Sequence, residues 1–90
     1  MGTFNLNTEK DFMSLLSGDT IVASCMGSIG LGKWSVESEP TRPGDIPQML
    51  VKSIEEEGAS FFMHFINGKL TDQNQKPICD LEEDLVLVER

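Results

Sequence analysis

Gly27-Ser28-Ile29-Gly30-Leu31-Gly32-Lys33 matches G-x-x-x-x-G-K, the spacing with which backbone amides of a loop cradle phosphate. Its surroundings argue against that chemistry. Trp34 stands where a phosphate loop carries a Ser or Thr hydroxyl for Mg²⁺. The residues that follow alternate toward Pro40 rather than opening a helix whose N-terminus would hold the anion. The stretch reads as a glycine-rich hairpin turn. His64, the only histidine, would complete a nucleophilic set with Cys25 and a carboxylate such as Asp80. No local signature surrounds Cys25, and no His, Cys or carboxylate grouping has metal-ligand spacing. His64 is therefore expected to pack across a strand pair and both thiols to be structural. The expectation is a protein without catalysis, metal or cofactor.

The acidic residues point elsewhere. Seven Lys+Arg against fifteen Asp+Glu leave a net charge of −8, and the basic residues form no cluster. Affinity for nucleic acid or an anionic membrane needs concentrated Lys and Arg, so neither partner is expected. A basic protein surface is the complementary partner, because opposite fields steer encounter. Two clusters are candidates for that contact: Glu55-Glu56-Glu57, and Glu82-Glu83-Asp84 with Asp80 just before them. Trp34 is an apolar anchor if its ring is exposed, since Trp is enriched among interface hot spots, and a core residue otherwise. Two distant cysteines and an N-terminal stretch without a signal-peptide pattern fit a reduced, cytoplasmic setting.

The elements that must hold these residues fit one domain over residues 1–90, at 39% hydrophobic and 24% charged. A helix is expected from Thr8 to Ser17, with Thr8 and Asp11 as a capping box and Phe12, Leu15 and Leu16 on one face. Thr20 to Met26 reads as a strand, and Trp34 with Val36 marks a second that pairs with it. Asp45 is a good N-cap for a second helix to Glu57, with Ile46, Leu50 and Ile54 on one face. In that helix, Glu55-Glu56-Glu57 would oppose the negative end of the dipole. Ala59 to Ile66 alternates, with Phe61, Met63 and Phe65 on one side. Asn67-Gly68 signals a two-residue hairpin that sets Ile66 against Lys69 and Phe65 against Leu70. A polar loop spans Asp72 to Lys76, and Leu85 to Val88 closes the chain as a strand. The expected class is α+β, in the order α-β-β-α-β-β-β: a mainly antiparallel sheet of about four or five strands with a pair of helices.

Leu15-Leu16-x-Gly18 ahead of a strand, and Asp80-Leu81-x-x-Asp84 in the tail, resemble small phage-encoded Thoeris anti-defence proteins. Leu85 stands where the tail of that family carries a tryptophan. The resemblance implies sequestration of a cyclic nucleotide signal. Two functions are thus expected in competition. The first is a small acidic protein-binding module of inhibitor, immunity, antitoxin or phage anti-defence type, which occludes a basic surface. The alternative is a nucleotide-like ligand binder lined by the glycine turn and Trp34, acting as a homo-oligomer because subunit interfaces supply deeper concavities.

Overall fold

Side chains that alternate between oil and water make strands, and such alternation recurs along this chain. The computed structural model of the protein describes residues 2–23, 32–42, 44–78 and 86–90. In chain order its elements are β1 (Thr3–Asn5), α1 (Glu9–Met13), β2 (Thr20–Ala23), β3 (Gly32–Val36), β4 (Gln48–Ser53), β5 (Ser60–Ile66), β6 (Lys69–Thr71) and β7 (Val86–Glu89). The strands form one sheet in the order β1-β7-β2-β3-β4-β5-β6, and every pair is antiparallel. No helix among the described residues is long and apolar enough to cross a membrane.

The sheet is rolled. Seven strands spaced about 4.8 Å apart would lie flat as a slab some 30 Å wide and about 10 Å thick. The molecule instead measures 31 × 27 × 26 Å. One face of every strand from β2 to β7 points into a shared core: Ile21, Ala23, Trp34, Val36, Met49, Val51, Met63, Phe65, Leu70, Val86 and Val88. Helix α1 follows β1 at one end of the strand order, yet its Phe12 meets Phe65 of β5 with ring centroids 5.7 Å apart. The helix thus closes the seam where the rolled sheet does not pair with itself. Past β6, Thr71 bridges Pro77, and the Ile78 N–H donates to the Leu70 carbonyl at 2.9 Å.

An α+β fold with two helices is not what forms. The predicted second helix is strand β4, and a further strand, β1, precedes α1. Residues 46–54 carry two periods at once. Ile46, Leu50 and Ile54 repeat every four, whereas Met49 and Val51 repeat every two. Packing selects the second set. Met49 and Val51 are essentially inaccessible, while Leu50 is half-buried and Ile54 is 54% exposed. Strand β5 is the most apolar segment of the chain, and β4 gives it a full-length partner, with Met49 opposite Met63 and Val51 opposite Phe61. A helix there would leave that partner unmade. It would also aim three glutamates at its own negative pole, a conflict that the strand removes.

The first helix exists but is cut short. Its capping box forms as expected, with the Asp11 N–H donating to Thr8 Oγ1 at 3.1 Å and the Thr8 N–H to Asp11 Oδ2 at 3.1 Å. It ends at Met13 rather than Ser17, so Leu15 still enters the core while Leu16 swings out to 47% exposure. The β2–β3 pairing and the β5–β6 register, Ile66 to Lys69 and Phe65 to Leu70, agree with the sequence. Asn67 at φ 52° and Gly68 at φ 76° supply the two left-handed residues that a type I′ turn requires.

Candidate functional site

The Glu55-Glu56-Glu57 cluster occupies the turn between β4 and β5, and local hydrogen bonds hold it. Ser53 donates its N–H to the Ala59 carbonyl at 2.8 Å, and its hydroxyl accepts the Glu56 N–H at 2.9 Å. Gly58 reverses the chain at φ 85°. The three carboxylates then separate by role. Glu55 turns back toward β3, where Oε1 accepts the Lys33 N–H at 3.0 Å, beside the Ile54 N–H bond to the Lys33 carbonyl at 3.0 Å. Glu55 therefore extends the β3–β4 ladder by one side-chain bond. Glu56 and Glu57 stay exposed, with no ion pair among the described residues.

Trp34 lies inside. Its ring is 9% exposed and packs edge-on against Phe61, with centroids 4.9 Å apart and planes at 89°. The exposure that an interface anchor needs is absent. Its indole N–H makes no hydrogen bond among the described residues and sits 3.5 Å from where a Cβ on Gly32 would lie. The glycine turn from Gly27 to Leu31, both cysteines, Asp80 and the second acidic cluster, Glu82, Glu83 and Asp84, lie outside the described residues. The structure therefore neither joins that cluster to Glu56 and Glu57 nor separates it from them.

His64 sits on the outer side of β5 in a cross-strand row with Gln48 of β4 and Thr71 of β6. Its Nε2 lies 3.0 Å from the Gln48 amide oxygen. Nδ1 and the Thr71 hydroxyl are both buried with no hydrogen-bond partner among the described residues. Among the described residues, no three His, Cys, Asp or Glu side chains converge as metal ligands. An open groove of about 460 Å³ follows the seam between α1 and the β5–β6 turn, lined by Asn7, Thr8, Glu9, Phe65, Asn67 and Gly68. It contains none of the residues that the sequence put forward for a site, and Glu9 at its rim is already paired with Arg42 at 2.8 Å.

One polar centre gave no signal in the sequence. Asp19, 4% exposed, receives two bonds from Arg90, from Nε at 3.1 Å and from Nη2 at 2.9 Å, and a third from the Leu16 N–H at 2.9 Å. The bonds from Arg90 outweigh burial and hold the Asp19 carboxyl below its ordinary range. Arg90 also donates to the Ser14 carbonyl at 2.9 Å and lies over the Phe4 ring, 5.3 Å from its centroid. The partners are 71 residues apart, so no spacing rule reaches them. The centre is a clamp between the end of β7, the turn after α1, and β1. No protein family, curated protein or solved structure matches the chain.

Proposed function

We propose that this is a small, non-enzymatic binding module that occludes a basic surface of another protein in the cytoplasm, in the manner of an inhibitor, immunity protein or antitoxin. The observation that carries the reading is the state of its carboxylates. Glu37, Glu39, Asp45, Glu56 and Glu57 are exposed, and none has an ion-pair partner among the described residues. Charges left unpaired on a chain of −8 create a field that attracts a basic partner and accelerates encounter. The β4–β5 turn presents Glu56 and Glu57 on a hydrogen-bonded frame, so little ordering is required on contact.

The test is capture from source-cell lysate with the tagged protein and with a Glu56→Lys, Glu57→Lys variant, at low and moderate salt. Glu55 is left intact because it braces β3. A basic protein retained at low salt, released by salt and lost from the variant supports the reading and identifies the target. Equal retention by both proteins removes the turn from the contact. Recovery of a nucleotide in place of any protein replaces the reading with ligand sequestration.

A further inference from the structure

Among the described residues, the outer face of β3, β4 and β5 combines exposed apolar side chains with two lysines. Strand alternation directs Lys33, Ser35, Gln48, Leu50, Lys52, Phe62 and His64 outward, and Glu37 and Ile54 continue the same side just past their strands. Leu50 and Phe62 are register partners across β4 and β5. Phe62 is 42% exposed, and Ile54 more so, with the stem of Lys52 between them. Two lysines against one glutamate leave this face at +1, while the whole chain carries −8, so everything else sums to −9. Neither lysine has an ion pair among the described residues.

We propose that this face is where two copies of the chain associate. The remainder of the chain, at −9, sets like charge against like charge when two copies meet through it. On this face the net charge is only +1, and the patch carries both signs, Lys33 and Lys52 against Glu37. Such a surface is complementary to itself, as a two-fold contact demands. Its apolar centre, Phe62, Leu50 and Ile54, loses water when a second copy covers it. The surface is distinct from a basic partner's contact, because Lys52 stands in its middle. The two chains still repel at long range, so screening by salt strengthens this association, whereas it weakens binding to a basic partner.

Sedimentation equilibrium of the intact protein over a concentration series, at low and moderate salt, tests the proposal. The expected mass rises from one chain toward two with concentration, and further in moderate salt. The doubly substituted Ile54→Ser, Phe62→Ser protein is expected to remain one chain throughout. Met13→Ser with Leu16→Ser, which removes the other exposed apolar pair, is expected to behave as the parent does. Lys52→Glu keeps the apolar centre and is expected to weaken association most at low salt, which serves as a second variant should the first fail to fold. A single-chain mass under every condition overturns the proposal. So does a dimer that survives in Ile54→Ser, Phe62→Ser, or one lost equally in the Met13, Leu16 variant.

Discussion

The Asp19 carboxylate accepts three hydrogen bonds, two of them from Arg90, and its chemistry shapes how the protein responds to acid. The Arg90 guanidinium holds its carboxyl ionised in the folded state below the range of an exposed aspartate. A group with a depressed folded value contributes fully above its unfolded value, about 3.9, and the contribution is lost as pH falls through the lower folded value. Chemical denaturation of the parent between pH 7 and pH 2 is therefore expected to show stability falling below about pH 4. Asp19→Asn should lower stability at neutral pH by roughly 1.5–3 kcal/mol, the scale of a hydrogen bond to a charged group. The same variant should also flatten the acid limb. An unchanged acid limb would assign that pH dependence to other carboxylates. Asp11, whose burial is outweighed by bonds from the Asn7 and Thr8 amides and the Thr8 hydroxyl, is depressed as well and contributes in the same direction.

The β4 segment separates the two periods written into residues 46–54. Met49→Ala empties a site that is 1% exposed and should cost about 2–5 kcal/mol, as buried large-to-small changes do. Leu50→Ala, on the half-buried outer face, should cost much less. The helical reading predicts the reverse order, so urea unfolding of the two variants decides between them. Elements whose evidence lies in adjacent residues were legible: the capping box at Thr8 and Asp11, the Asn67-Gly68 turn with its register, and the alternation of Phe61, Met63 and Phe65. Elements that depend on distant partners were not. Thr3–Asn5 is too short to signal a strand until β7 lies beside it, and residues 48–53 take their form from β5. The site divides in the same way. Trp34 could be read as core or as anchor until its burial decided for core, and the turn of Glu55 toward the Lys33 amide depends on how β3 and β4 are paired.

At the scale of the molecule, charge and topology act together. A compact chain at −8 repels itself, and unfolding relieves part of that repulsion. Thermal midpoints are expected to rise with added NaCl through the range where the Debye length shrinks from about 30 to about 10 Å. Midpoints that stay flat or fall would mean that paired charges such as Asp19 with Arg90 outweigh the excess. The strand order carries a separate consequence, one of timing. β7, the last element in chain order, lies between β1 and β2, the first two strands. As the chain leaves the ribosome, β2 through β6 can build their meander in sequence, but β1 has nothing to pair with until β7 arrives. For most of synthesis the β2 edge, with Ile21 and Ala23 beside it, stays open to any other strand in reach. The protein's most vulnerable moment is therefore its birth, and the delay before β7 emerges sets how long that moment lasts.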